Sequence, residues 1–103
     1  MRTYKNHIEL TNEQKEMMEL MGYVNNAYDI FAKTISNSEN PYIELELVVN
    51  PYDIDSPAVI YVNQLESFLS TDEVSVPIKT ILREIKNLKD IGVNIDIEEI
   101  EGF

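Results

Sequence analysis

The sequence contains no cysteine, no tryptophan, only three glycines and a single histidine. Without cysteine, the chain forms neither a disulfide nor a thiolate metal site, and it offers no thiolate nucleophile. Glycines at positions 22, 92 and 102 are too far apart to build a glycine-rich phosphate-binding loop. One histidine is too few for a structural zinc site of the usual composition. We therefore expect no catalytic residues, no metal and no cofactor, and a protein that is not an enzyme.

Long hydrophobic runs are also missing. The longest spans residues 58–62, whereas a membrane-spanning helix needs about 20 apolar residues. Residues 1–7 are polar and Glu9 interrupts the apolar residues that follow, which is unlike a secretory signal. The chain has 103 residues, of which 44% are hydrophobic, and this is enough for one core. We expect a single domain over residues 1–103, located in the cytoplasm.

Basic residues are scarce. Eight Lys and Arg face 19 Asp and Glu, for a formal net charge of −11. Such a chain is repelled by nucleic acid and by anionic membranes, so neither is an expected partner. The imbalance is uneven, because residues 37–76 contain eight acidic residues and no Lys or Arg. This regional asymmetry favours a surface that binds another protein.

The first helix is predicted over residues 11–36. Thr11 and Gln14 have the spacing of a capping box, which marks a helix start. Gly22 lowers the helix propensity by about 1 kcal/mol relative to alanine, but it leaves the periodic pattern in place. Apolar residues recur at helical spacing at Met17, Leu20, Met21, Val24, Ala27, Tyr28, Phe31 and Ile35.

The rest of the chain predicts a hairpin, a second helix and two flanking strands. Apolar residues alternate with polar ones over residues 43–49, and residues 58–62 are β-branched and aromatic, so both are predicted to be strands. Residues 77–91 predict a helix with Gly92 as its C-terminal cap, and residues 63–69 a short helical turn. Alternation over residues 93–98 predicts a last strand, and weaker alternation over residues 4–10 predicts a first strand. The fold class is therefore α+β, with the ferredoxin-like βαββαβ order: two helices cover one face of a four-stranded antiparallel sheet.

The other face of that sheet would be acidic. If the apolar side chains of the strands face the helices, then Glu44 and Glu46 point the other way, and Asp96 and Glu98 do the same on the last strand. Alternate residues of a strand lie about 6.6–6.8 Å apart, roughly twice the 3.4 Å rise per nucleotide of one DNA strand. Such a face can imitate a run of phosphates. The predicted partner-binding residues are Glu44, Glu46, Asp53, Asp55, Tyr61, Asp96 and Glu98.

The leading hypothesis is a small acidic protein-binding module, in the manner of phage or mobile-element inhibitors that block a nucleic-acid-handling enzyme. That comparison is an analogy of charge and size. Three other interpretations stay open. The acidic residues can serve solubility alone, the domain can be a small-molecule-sensing or homodimerising regulator, or His7 and the hairpin acids can form a hydrolase site.

Overall fold

The structure of the chain, a computed structural model, describes residues 5–27, 29–36, 43–64 and 78–102. Within these residues, two helices and five strands follow one another in the order α1–β1–β2–β3–β4–α2–β5. Their bounds are α1 Asn12–Leu20, β1 Val24–Ala27, β2 Ile30–Ser36, β3 Ile43–Val49, β4 Ala58–Gln64, α2 Ile78–Asp90 and β5 Ile100–Glu101. A 3-10 turn, Ile97–Glu99, precedes β5.

Helix α1 starts where the sequence predicts and ends much earlier. The capping box is present: Gln14 N–H donates to Thr11 Oγ1 at 3.1 Å, and Thr11 N–H donates to Gln14 Oε1 at 2.9 Å. Gly22 then adopts a φ of +102°, a conformation that L-residues rarely adopt. The N–H of Tyr23 donates to the carbonyl of Met18 at 3.0 Å, which closes the helix end as a Schellman motif. The predicted single helix over residues 11–36 is therefore wrong, and β1 and β2 take up its second half.

Helix α2 ends in the same way. Gly92 has a φ of +87°, and the N–H of Val93 donates to the carbonyl of Leu88 at 2.9 Å. Leu88 and Val93 are both buried, as the hydrophobic contact across such a cap requires. The predicted second helix and its glycine cap are confirmed over the described residues.

The strands form one five-stranded mixed sheet in the order β1-β2-β3-β4-β5. Neighbouring strands are antiparallel from β1 to β4, which confirms the predicted hairpin of β3 and β4. Strand β5 runs parallel to β4, with Ile100 beside Ala58.

Three other predictions fail or fall outside the described residues. The last strand predicted over residues 93–98 is wrong, because that segment leads into the 3-10 turn and the strand comes after it. Residues 5–10, the described part of the predicted first strand, form no strand. Of the predicted turn at residues 63–69, the first two residues belong to β4 and the others lie outside the described residues. The α+β class stands, but the four-stranded ferredoxin-like order is not confirmed.

The core lies between the helices and one face of the sheet. Its buried side chains form a single cluster that joins both helices to the strands. Among its fully buried members are Met18, Phe31, Leu45, Leu47, Ile81 and Leu88. Burying side chains of this size contributes about 1.5–3 kcal/mol each, so this layer stabilises the fold. Neither described helix is long and apolar enough to cross a membrane.

Buried Asn50 ties the start of the described chain to the sheet. It follows β3 with a φ of +57°, a conformation that asparagine tolerates better than most residues. Its Oδ1 accepts the N–H of Ile8 at 2.8 Å, and its Nδ2 donates to the carbonyls of Ile8 at 2.8 Å and Asp29 at 3.1 Å. One side chain therefore holds both the segment before α1 and the β1–β2 turn.

Candidate functional site

Strand β3 divides its side chains between the two faces of the sheet. Leu45 and Leu47 are buried beneath the helices, whereas Glu44, Glu46 and Val48 are half-buried on the opposite side. We call that opposite side the open face; its described members are Val24, Ala32, Thr34, Glu44, Glu46, Val48, Val59, Tyr61 and Glu101, of which Ala32 and Val59 are buried. Both β3 carboxylates lie on it, in the orientation that the alternation of the strand predicts.

The neighbours of these carboxylates follow from the strand register. Glu46 is paired with Thr34 on one side and with Tyr61 on the other, and Val48 is paired with Val59 in the adjacent row. Tyr61 is 45% exposed. Tyr61 and Val48 thus give the open face an apolar centre beside its carboxylates, and tyrosine combines apolar area with a polar tip.

Glu101 adds a third carboxylate that sequence reasoning missed. It pairs with Val59 in parallel register, and the preceding Ile100 is buried in the core, so Glu101 points to the open face. Its Oε1 accepts a hydrogen bond from Ser56 Oγ at 3.4 Å. The signal was present as an apolar–acidic alternation at positions 100 and 101, but the predicted last strand ended before it.

Positive charge lies elsewhere on the molecule. Among the described open-face residues there is no Lys or Arg. Lys15 belongs to α1 and forms an ion pair with Asp29 at 2.7 Å. Lys33 points to the helix side of the sheet and forms an ion pair with Glu84 at 3.0 Å. Lys79, Arg83, Lys86 and Lys89 all belong to α2. The open face is therefore negative, and most of the described cations lie in the helix layer behind it.

Asp53 and Asp55 lie in the β3–β4 loop, beyond the strands. Both are exposed. Asp55 Oδ1 accepts the N–H of Asn6 at 2.9 Å, and the Asp55 carbonyl accepts from the Asn6 side chain at 3.0 Å. Nearby, His7 Nε2 lies 3.0 Å from the Ile54 carbonyl, to which it can only donate. The loop thus anchors the N-terminal segment, and the structure does not place these two aspartates among the open-face residues.

Asp96 and Glu98 do not occupy strand positions. The prediction placed them on the outward side of a last strand, but they lie at the 3-10 turn between α2 and β5. Asp96 forms an ion pair with Lys89 of α2 at 3.1 Å, and its N–H donates to Glu99 Oε1 at 3.2 Å. Asp96 is therefore drawn towards the helix layer, and its charge is partly compensated there.

A buried polar cluster lies on the other side of the sheet. Glu84 of α2 is 7% exposed. Its Oε1 accepts the Tyr23 hydroxyl at 2.9 Å, and Lys33 Nζ donates to its two oxygens at 3.0 and 3.1 Å. Burial and, second, the Glu84 charge raise the pKa of Tyr23 far above its ordinary value of 10.0. The sequence gives little sign of this cluster, because Tyr23 and Lys33 fall within the wrongly predicted helix.

The described residues offer little to a metal or a small substrate. No group of three or more Asp, Glu or His among them is arranged to hold a metal ion. A groove of about 250 Å³ opens between the start of α1 and the end of α2, lined in part by Thr11, Gln14 and Ile91. Its Thr11 and Gln14 side chains are already engaged in the capping box. The open face is therefore the better candidate for a functional surface.

Comparison with protein-family models, with curated proteins and with solved structures finds no match for this chain.

Proposed function

We propose that this chain is a small acidic protein-binding module. Its open face docks on the basic, nucleic-acid-binding surface of a partner protein and competes there with nucleic acid. The observation that carries the proposal is the shared orientation of Glu44, Glu46 and Tyr61, on a face where the described residues include no lysine or arginine. Alternation along β3 and the register with β4 bring these three side chains together.

The arrangement suits recognition of lysine and arginine. An ionised carboxylate only accepts hydrogen bonds, and arginine binds it with two parallel N–H···O bonds, as it binds phosphate. Glu44 and Glu46 lie on a central strand of the sheet, so their backbone positions are fixed before a partner arrives. A preorganised surface of this kind loses less conformational entropy on binding than a flexible acidic segment would.

Charge concentration also favours a basic partner. Three carboxylates on one face repel one another, and none of the salt bridges of the described residues involves them. Cations brought by a partner relieve that repulsion, so they both strengthen the complex and steer its association. Tyr61 then supplies apolar contact area close to the ionic contacts, which is the composition typical of interface hot spots.

Affinity capture with a charge-reversed variant tests the proposal. We expect the wild-type chain to retain nucleic-acid-binding proteins from a cell lysate at low salt and to release them as salt rises. Added duplex DNA should release the same proteins, because both ligands use one surface. The variant Glu44→Lys/Glu46→Lys should lose this capture.

The matched control is Glu16→Lys/Glu19→Lys, which makes the same change in net charge at two exposed positions of α1. It should retain the captured proteins. Equal loss with both variants would mean that net charge, and not the open face, causes the binding. Retention by the β3 variant, or capture that stays constant from low to high salt, would refute the proposal.

If a captured protein is an enzyme acting on nucleic acid, its kinetics give a second readout. A chain that occupies the nucleic-acid site should raise the KM for the nucleic acid and leave kcat unchanged. Inhibition that lowers kcat at saturating nucleic acid would contradict competition for that site.

A further inference from the structure

The outer side of α2 is both apolar and basic. The inner side of the helix is buried through Ile81, Ile85 and Leu88. On the outer side, Ile78 is 53% and Leu82 is 46% exposed, and their spacing of four residues places them next to each other.

Three cations flank this exposed apolar pair. Lys79, Arg83 and Lys86 are all exposed, and none of them forms an ion pair with the described residues. We call Ile78, Lys79, Leu82, Arg83 and Lys86 together the α2 outer surface. Its cations are available to pair with a partner.

This surface is complementary to the open face. The open face presents three carboxylates around Val48 and Tyr61, and the α2 outer surface presents three cations around two aliphatic side chains. The two lie on opposite sides of the molecule, because α2 covers one face of the sheet and the carboxylates lie on the other. A helix packed on a sheet face is also a common layer arrangement.

We propose that the α2 outer surface of one copy docks on the open face of a second copy. The contact is heterologous, since it joins two different surfaces. Each added copy leaves one open face and one α2 outer surface free at the two ends. Such contacts propagate from copy to copy unless the rotation between copies closes a ring. Self-association therefore covers the same open face that a foreign partner would use.

The opposite charges of the two surfaces favour a second copy as the occupant, and the net charge of each copy keeps the contact weak. Two chains of net charge −11 repel each other at long range, but this repulsion is screened beyond about 8 Å at physiological ionic strength. At contact, the local pairing is of opposite charges. We expect weak, reversible oligomers whose mass rises with protein concentration and falls with added salt.

Sedimentation of the purified chain, with no other protein present, tests the proposal. Two variants each neutralise one surface: Glu44→Gln/Glu46→Gln on the open face and Arg83→Gln/Lys86→Gln on α2. Either should weaken self-association by about tenfold or more, the loss expected when two ion pairs at an interface are removed. The control Glu16→Gln/Glu19→Gln should associate at least as well as the wild type, and circular dichroism should show that all variants are folded.

Mixing the two neutralised variants gives the decisive result. One still has its open face and the other its α2 outer surface, so the mixture should form dimers that extend no further. A wild type that stays monomeric at physiological ionic strength refutes the proposal, as does self-association unaffected by either variant. A mixture that stays monomeric refutes the heterologous contact.

The two proposals fail independently. A chain that is monomeric but captures nucleic-acid-binding proteins through its open face keeps the proposed function and loses this inference. A chain that self-associates as described but captures no such protein has the opposite outcome.

Discussion

The buried cluster of Tyr23, Glu84 and Lys33 gives a quantitative prediction about stability. The change is Lys33→Met, which leaves the Glu84 carboxylate buried with the Tyr23 hydroxyl as its remaining partner. Removing one member of a buried ion pair costs about 3–5 kcal/mol. The Lys33 side chain is 23% exposed, so we expect the lower end, about 3 kcal/mol. For a domain of this size that is a fall in Tm of about 12 °C or more.

The same substitution at an exposed ion pair is the control. Lys15 and Asp29 are closer together, at 2.7 Å, but their side chains are 31% and 39% exposed. Pairs in that environment contribute about 0–1 kcal/mol, so Lys15→Met should change stability by no more than this. Urea denaturation followed by circular dichroism measures both variants, provided that the m-value stays constant.

A triple variant distinguishes the cost of leaving Glu84 without its lysine from the cost of removing the whole polar cluster. Replacing all three polar groups, as Lys33→Met/Glu84→Met/Tyr23→Phe, leaves no buried charge and no unsatisfied donor. Apolar replacement of a whole buried ionic group is often neutral or stabilising, so we expect the triple variant to be about 3 kcal/mol or more above Lys33→Met alone in stability. If Lys33→Met costs less than about 1 kcal/mol, or if the triple variant is the less stable of the two, the reasoning about burial is wrong.

Three further outcomes follow from the described contacts. Folding raises the pKa of Tyr23, so its ionisation should leave the free energy of unfolding unchanged below about pH 10. Above that pH the free energy of unfolding should fall by up to about 1.4 kcal/mol per pH unit, because only the unfolded state loses the proton. In urea denaturation at alkaline pH, the Tyr23→Phe variant should therefore lose less stability than the wild type. Asn50→Ala should cost about 2–4 kcal/mol, since it removes three hydrogen bonds at a buried position, and Asn50→Gly should cost less because it relieves the positive φ. Gly92→Ala should destabilise more than Gly22→Ala in thermal unfolding, because its Cβ would lie 2.9 Å from Gln14 Nε2, whereas that of Gly22 has its nearest contact at 3.5 Å. The Gln14 amide cannot move away freely, since it is hydrogen-bonded to Thr11 N–H and to the Ile91 carbonyl.

The end of α1 carries the same local sequence signature as the end of α2. Residues 18–23 and 88–93 share the pattern of an apolar residue, three others, a glycine and a second apolar residue. Both segments form Schellman caps. At Gly92 the apolar periodicity stops, so a cap is the natural interpretation. At Gly22 the apolar residues continue at spacings that also suit a helix, and this continuation hid the cap.

Strand β2 is hard to predict from the sequence because one of its inward-facing residues is a lysine. Its inward residues are Phe31, Lys33 and Ile35, and Lys33 breaks the apolar alternation that would identify a strand. The lysine is tolerated there because Glu84 of α2, about fifty residues further along the chain, compensates its charge. A pattern confined to one segment cannot show such a partner.

The predictions for the candidate site also differ in whether they depend on one segment or on the arrangement of several elements. The placement of Glu44 and Glu46 opposite Leu45 and Leu47 depends only on the two-residue period of one strand, so it does not depend on how the other elements are arranged. The placement of Asp96 depended on the order of the elements, and the same face receives Glu101 in its stead. The alternation of one strand therefore predicts the two central carboxylates of the open face, Glu44 and Glu46, whereas the third, Glu101, depends on how the strands are arranged. For that reason charge reversal at Glu44 and Glu46, and not at the turn before β5, is the decisive test of whether this face binds a partner.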